Sequence, residues 1–293
     1  MALEGIVSIV FSTYNNREKA LKCIESCLKQ KYNKLFVIAA DDGSNDGSQE
    51  SFKKIQEKDS RFKFIPLVHK ERGIARGKAI SLAKKLESEY IYIIDSDMIL
   101  EDKLIEKCMS FFNKNKNVGA LIVPEYAFSE YENFYSKVKV FERNIINNSG
   151  EDMGKNSIEA ARFWRMDAYD LSGGINPNQI SFEETQPTIR YVEKGGVVKR
   201  AVFTKVYHDE KFVTLRNLLK KKMYYFSVMD KTIQSEEGGF IKTLKRWYFF
   251  RPVLYRGSNL KRYLRHPILT IGMINMYVIL TLVGVSQILK RKK

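Results

Sequence analysis

Residues 91–100 read IYIIDSDMIL. A short apolar run that stops abruptly at polar residues predicts a buried β-strand. The run ends on two aspartates, Asp95 and Asp97, whose negative charges repel each other. We therefore expect a positively charged partner at the end of this strand.

The segments around this stretch alternate between strand and helix patterns. Apolar runs typical of strands occupy residues 6–12, 35–40, 61–68, 90–94 and 118–124. Helical patterns of about 10–15 residues lie between them, and this alternation predicts right-handed crossover units. The sequence therefore predicts an α/β fold with a mostly parallel sheet.

Polar motifs follow three of the predicted strands, namely STYN at 12–15, DDGS at 41–44 and DSD at 95–97. Ligands of parallel sheets bind outside the carboxyl ends of the strands, so we expect the three motifs to converge on one crevice. Two carboxylates spaced D-x-D can bind Mg²⁺ or Mn²⁺ together with phosphate oxygens of a ligand. Alternatively, DSD only caps the following helix, and DDGS is only a turn.

Arg76, in the segment GIARGKA, lies near the start of a predicted helix. The helix dipole does not favour a cation at that end. A phosphate ligand would explain the position, because an arginine and a helix N-terminus can both face the same anion. The alternative is an arginine that is simply solvated at the surface.

The basic charge of the chain is concentrated in its C-terminal third. The net charge is +16, yet residues 1–198 hold 29 basic and 29 acidic residues, whereas 199–293 hold 21 and 5. Such an excess predicts an anionic surface as partner, either a membrane or a nucleic acid. The three cysteines, Cys23, Cys27 and Cys108, indicate free thiols in a reducing compartment.

A membrane is favoured by the last segments of the chain. Residues 268–289 contain no charge and, as a helix at about 1.5 Å per residue, would reach about 33 Å, which suffices to cross a bilayer. Basic residues flank this segment on both sides. Residues 240–266 mix Lys and Arg with aromatic side chains, as interfacial helices do. The alternative is a buried core helix, and nucleic acid is the less favoured partner.

Together these motifs resemble glycosyltransferase family 2, whose members have the GT-A fold. The resemblance rests on VSIVFSTYN, DDGSNDGS, GIARGKA and IYIIDSDMI, and further along on FWRMDAYDLSGGINPN and SFEETQPTIRYVEKG. It implies a Rossmann-like catalytic domain at 1–215, with a nucleotide-sugar half at 1–125 and an acceptor half at 126–215. Basic interfacial helices at 216–266, and a transmembrane helix with a basic tail at 267–293, would follow.

The resemblance also implies roles for individual residues. The residues implied to bind the donor are Ser12, Thr13, Tyr14 and Asp42 at the nucleotide, Arg76 at the pyrophosphate and Asp95 near the ribose or sugar. Asp97 would ligate Mg²⁺ or Mn²⁺, and His208 would contact the metal or a phosphate. For His208, an ordinary turn residue is the alternative.

The catalytic base implied by the resemblance belongs to the pair Glu183-Glu184, which replaces the family's usual Glu-Asp. Glu184 matches the aspartate that deprotonates the acceptor hydroxyl, although both carboxylates can instead stabilise a helix dipole. The implied reaction is an inverting transfer from a UDP- or GDP-linked sugar to a hydroxyl of a lipid-linked (polyprenyl or dolichyl) glycan, with the catalytic domain in the cytoplasm. A polyprenyl-phosphate monosaccharide synthase is the alternative, and a nucleic-acid-binding protein is a remote one.

Overall fold

The computed structural model describes residues 5–70, 72–147, 159–176, 184–227 and 248–291. The chain divides into two compact units. The first unit comprises residues 1–125 and 150–208, and the second comprises 126–149 and 209–293.

The first unit is built on a seven-stranded sheet. Its strands are β1 (Val7–Thr13), β2 (Leu35–Asp41), β3 (Phe62–Pro66), β4 (Tyr90–Ile93), β6 (Val118–Ile122), β8 (Arg162–Arg165) and β9 (Val197–Arg200). The order across the sheet is β3-β2-β1-β4-β8-β6-β9. Three short strands lie outside this sheet: β5 (Met98–Leu100), β7 (Glu125–Phe128) and β10 (Val206–Asp209). β10 pairs antiparallel with β5.

The sheet is mostly parallel, which confirms the predicted α/β class. Strands β1, β2, β3 and β4 run parallel, with Val7 in register with both Leu35 and Tyr90. Among the described strands of this sheet, only β8 runs antiparallel to its neighbours, β4 and β6. The chain leaves β1 toward β2 on one side and returns to β4 on its other side. β1 is therefore the switch point, where open α/β sheets bind their ligands.

The described helices surround the sheet in the first unit and dominate the second. They are α1 (Arg17–Leu28), α2 (Ser48–Lys58), α3 (Arg72–Lys85), α4 (Leu104–Lys114), α5 (Phe134–Ile146), α6 (Met166–Leu171), α7 (Thr185–Glu193), α8 (Leu215–Ser227), α9 (Gly257–Arg265) and α10 (Pro267–Arg291). One apolar layer of the sheet packs on α1, α2 and α4, where all three cysteines are buried as free thiols. The other packs on α3, α6 and α7.

Helix α3 determines where the site arginine lies. Its Ala75, Ala79 and Ala83 are fully buried in the layer that covers β1 and β2. Side chains spaced by four residues share one face of a helix, and small ones let the helix approach the sheet closely. Arg76 follows directly after the first of these alanines. Its side chain is also fully buried, and it reaches the backbone at the end of β4, where Ile94 O lies 3.4 Å from Arg76 Nη2.

The second unit contains α5, α8, α9, α10 and two short 3₁₀ turns at Tyr248–Phe250 and Pro252–Tyr255. Residues 267–286 of α10 are long and apolar enough to cross a membrane, as the sequence predicts. The units differ from the predicted domains, because the predicted catalytic domain 1–215 includes α5, which the structure groups with the C-terminal helices. Residues 228–247 of the predicted interfacial segment and residues 292–293 lie outside the described part of the chain.

Candidate active site

The candidate site lies at the carboxyl ends of β1, β2 and β4. Thr13, the last residue of β1, is in register with Asp41 at the end of β2, and its carbonyl accepts a hydrogen bond from the Asp42 N–H at 2.9 Å. Next to β1 on its other side, Ile94 N–H donates to Val10 O at 3.1 Å, and Asp95 follows directly. The three polar motifs of the sequence therefore meet at the switch point of the sheet.

The end of β1 carries two buried hydroxyl groups. Among the described residues, neither Ser12 Oγ nor Thr13 Oγ1 has a hydrogen-bond partner. A buried hydroxyl without a partner costs about 1–3 kcal/mol, so the two groups fit a polar ligand that would satisfy them. The next residue, Tyr14, is half exposed and stacks on His69 with ring centroids 4.1 Å apart. This stacked pair offers an aromatic surface beside the two hydroxyls.

Asp42 holds the loop that carries His69. Its carboxylate accepts a hydrogen bond from the Lys70 N–H at 3.0 Å, and its other oxygen lies 2.9 Å from His69 Nδ1. At Gly43 the backbone has φ +80° and comes so close that a Cβ would lie 2.7 Å from His69 N. In this structure Asp42 therefore fixes the loop beside Tyr14, and its contact with a nucleobase stays a prediction.

Arg76 joins two acidic residues from distant parts of the chain. Its side chain is fully buried, which rules out the solvated surface arginine. One guanidinium nitrogen lies 2.5 Å from Asp95 Oδ1, and another forms an ion pair with Glu184. The positive partner expected next to Asp95 is therefore, in part, this arginine. Contact of Arg76 with a pyrophosphate stays a prediction.

Glu184 lies immediately before α7 and is held there by its own backbone. Its carbonyl accepts a hydrogen bond from Arg162 Nε of β8 at 2.8 Å. Burial alone would raise the pKa of the Glu184 carboxyl, but the charges of Arg76 and Arg72 hold that pKa below its usual value. The carboxylate is therefore ionised at neutral pH. Glu183, the other member of the predicted pair, lies outside the described residues.

Asp97 and His208 face each other across the β5–β10 pair. His208 Nε2 lies 3.4 Å from Asp97 Oδ1, and His208 Nδ1 lies 3.0 Å from Glu125 Oε2. With Nδ1–H donating to Glu125, Nε2 and Asp97 Oδ1 could share a cation between them. His208 lies in a strand and Asp97 immediately precedes β5, so neither the turn nor the helix-cap alternative holds.

This donor set fits a divalent cation that also binds a phosphate ligand. Mg²⁺ usually takes only one or two protein ligands and completes its shell with water and substrate phosphates. Asp97 and His208 would supply two. No group of three or more His, Cys, Asp or Glu suited to a metal occurs in the part of the chain that the structure describes.

Comparisons with known proteins place this fold in one family. The model of "Glycosyl transferase family 2" matches residues 8–170, which is more than half of the chain. The chain belongs to glycosyl transferase family 2. This family 2 glycosyltransferase is 34% identical over 137 residues to an uncharacterized glycosyltransferase of Methanocaldococcus jannaschii, covering 46% of each protein. It is 25% identical over 243 residues to Escherichia coli chondroitin synthase, covering 78% of this chain and 32% of that enzyme.

The family 2 chain spans about half the length of the first curated relatives that it matches. Its fold is similar to that of Staphylococcus aureus TarS residues 1–349, whose structure in complex with UDP-GlcNAc matches with a TM-score of 0.57. That match covers 94% of this chain and 81% of TarS at 13% identity. The predicted GT-A fold is thereby confirmed.

Sequence reasoning missed several residues that shape the site of this family 2 glycosyltransferase. Glu125 holds His208, and its Oε1 accepts a hydrogen bond from the Ala160 N–H at 2.5 Å. Behind it, Glu159 forms a buried ion pair with Arg200 at 2.5 Å. Glu125 follows an apolar strand directly, as Asp95 does, and this signal could have identified it. His69 lies in a loop and carries no comparable signal.

Proposed function

We propose that this protein transfers a sugar from a UDP- or GDP-linked donor directly to a hydroxyl group of an acceptor, with inversion at the anomeric carbon. The observation that carries the proposal is the buried Arg76 bridge, which holds the carboxylate Glu184 next to the donor-side residue Asp95. A base and a donor site must be adjacent for a direct displacement. The UDP-GlcNAc complex of TarS, which has a similar fold, supports the choice of donor.

The donor would bind at the switch point of the sheet. Ser12 and Thr13 would donate hydrogen bonds from their buried hydroxyls to the nucleotide, and the stacked rings of Tyr14 and His69 would support its base. Asp97 and His208 would hold Mg²⁺ or Mn²⁺, which when bound neutralises charge on the diphosphate. The positive charge of Arg76, fixed beside Asp95, would favour the departing nucleoside diphosphate.

Glu184 would act as the general base. The acceptor oxygen forms a bond to the anomeric carbon while the bond from that carbon to the diphosphate breaks, and the hydroxyl proton passes to the Glu184 carboxylate. The low pKa of Glu184 keeps it ionised at neutral pH. The hydroxyl becomes a stronger acid as its oxygen bonds to the sugar, so a weakly basic carboxylate is sufficient late in the step.

We further propose a lipid-linked glycan as the acceptor and a cytoplasmic catalytic unit attached to a membrane. The apolar helix α10 and the basic C-terminal third support membrane attachment. An enzyme held at a bilayer lies beside any substrate anchored in that bilayer. The cytoplasmic side follows from where nucleotide-sugars are made. Lipid, rather than nucleic acid, is the proposed partner of the basic segment.

A second candidate, sugar transfer to a polyprenyl phosphate, is favoured by one observation. The ion pair with Arg76 makes Glu184 a weak base, and a phosphate acceptor is already ionised and needs none. Glu184 would then only position Arg76. The two candidates differ in the effect of replacing Glu184 by a group that cannot accept a proton.

A donor screen tests the proposal. Purified protein is incubated with UDP- and GDP-linked sugars, Mg²⁺ or Mn²⁺, and either a polyprenyl-linked saccharide or a polyprenyl phosphate, and release of nucleoside diphosphate is measured. We expect acceptor-dependent release with the saccharide and product of inverted anomeric configuration. Transfer only to the phosphate would establish the second candidate, and absence of release with every donor would contradict both.

A further inference from the structure

Helix α10 has two different faces. Its buried residues are Gly272, Met273, Met276, Tyr277, Leu280 and Gly284. Its exposed large apolar residues are Ile268, Ile271, Ile274, Val278, Leu282 and Val285. At about 100° per residue the two sets lie on opposite sides of the helix. The helix is therefore apolar all round, but within the described residues protein covers only one side.

The covered face packs closely on α5 of the same unit. At Gly272, a Cβ would lie 2.7 Å from both Phe134 Cζ and Val138 Cγ2, so only glycine permits this approach. Met276 and Leu280 continue the buried stripe along the helix. This contact is a protein–protein contact of the second unit, and lipid does not reach that side of α10.

A buried charge cluster lies beside the middle of α10. The Tyr277 hydroxyl donates a hydrogen bond to Glu142 Oε1 at 2.8 Å. Glu142, itself buried, lies 2.5 Å from Lys139 Nζ and 3.1 Å from Arg251 Nη1. A helix that crossed a bilayer would carry its midpoint, and this cluster with it, to the depth where charged side chains are most costly. Packing on α5 therefore opposes crossing of the membrane.

The surroundings of the uncovered face match an anionic lipid surface. Apart from Arg251 of the buried cluster, residues 248–291 contain six basic residues and no acidic one. In the adjacent helix α9, Leu260 and Leu264 are 58% and 74% exposed. Apolar side chains next to basic ones are the pattern of helices that lie in a membrane interface, where the apolar side enters the lipid and the basic groups meet anionic headgroups.

We infer that α10 lies in the plane of an anionic membrane surface, with Ile271 and Leu282 among the lipids and Tyr277 on the protein, and does not cross the bilayer. The inference rests on the membrane attachment proposed above and specifies its geometry. It differs from the transmembrane helix that length and composition alone predict.

Depth measurements on the membrane-bound full-length protein test the inference. A fluorescent label is attached to a single cysteine introduced as Ile271→Cys, Val278→Cys or Val285→Cys, and lipids with quenchers at two depths are used. The native cysteines are buried, which keeps background labelling low. We expect all three labels at one shallow depth. In a crossing helix successive positions, seven residues apart, would differ by about 10 Å along the helix axis, so a depth gradient or a deepest Val278 would overturn the inference.

A flotation assay separates this inference from the membrane proposal itself. Wild-type protein should float with phosphatidylglycerol vesicles. If it does not float, the proposed membrane attachment itself is refuted, whatever the depth of α10. Ile271→Gln combined with Leu282→Gln should lower the partition into vesicles about 100-fold, tenfold for each apolar side chain lost. Val202→Gln changes an exposed valine of the first unit and serves as the matched control. If the double variant floats normally but loses self-association, a second copy covers this face and the inference is wrong.

Discussion

Replacing Glu142 by glutamine should lower the free energy needed to open α10 away from α5. Burial would raise the pKa of Glu142, but the charges of Lys139 and Arg251 lower it to about 2. An ordinary glutamate has a pKa of about 4.3, and a difference of roughly 2 units at about 1.4 kcal/mol each corresponds to about 3 kcal/mol. In Glu142→Gln this contribution is lost, and the charges of Lys139 and Arg251 lose their carboxylate.

The assay is hydrogen exchange followed by mass spectrometry on peptides from α10. At pH 7 the variant should exchange there roughly 100-fold faster than the wild type, which corresponds to about 3 kcal/mol of opening free energy. Because the folded-state pKa of Glu142 is depressed, the wild type should lose the same contribution as the pH falls from about 4.5 toward 2. The variant should show no such loss from this site.

Glu132, which lies just before α5, provides a matched control. Glu132 pairs with Lys137 at 2.6 Å, but its side chain is 81% exposed, so Glu132→Gln should change protection by less than about 1 kcal/mol. Equal protection of α10 in Glu142→Gln and Glu132→Gln would refute the claim that this buried cluster holds the helix.

Three further outcomes follow from single contacts. Ser12→Ala should leave stability unchanged or raise it by about 1 kcal/mol, because its buried hydroxyl has no partner among the described residues, yet it should weaken nucleoside diphosphate binding five- to tenfold by calorimetry. Asp97→Ala should abolish the Mn²⁺-dependent part of that binding while the far-ultraviolet circular dichroism stays that of the wild type; unchanged binding would remove Asp97 from the metal site. Gly272→Val should displace α10 from Phe134 and Val138 and expose it to limited proteolysis, whereas Gly257→Val, where a Cβ meets no atom within 4 Å, should not.

Much of the fold of the first unit could be predicted from the sequence because the patterns that indicate strands and helices are local. Apolar runs separated by helical patterns specify the strands around β1, and parallel strands bring their following residues to one edge. Asp95, at the end of such a run, and Arg76, at a helix start where a cation is unusual, were both identified in this way. The strand β5 was not predicted, because its three residues are too short to show a pattern.

The contacts that position the side chains of the site could not be predicted, since they join residues far apart in sequence. Arg76 and Glu184 are 108 residues apart, and no local pattern indicates that they pair. The same holds for Glu125 behind His208, 83 residues away. In α10, apolar composition on every side resembles a membrane span, and only the position of Gly272 and Tyr277 against α5 distinguishes its covered face.

Single-turnover transfer by Glu184→Gln tests whether Glu184 is the catalytic base. Glutamine keeps the shape of the side chain but cannot accept a proton, and Arg76 retains its ion pair with Asp95, so the fold and donor binding should be preserved. Glu183→Gln is the control. With a polyprenyl-linked saccharide as acceptor, we expect Glu184→Gln to transfer roughly 10²–10⁴-fold more slowly than the wild type at near-normal donor affinity, and Glu183→Gln to be milder. Near-wild-type transfer by Glu184→Gln would contradict the base assignment and favour a phosphate acceptor.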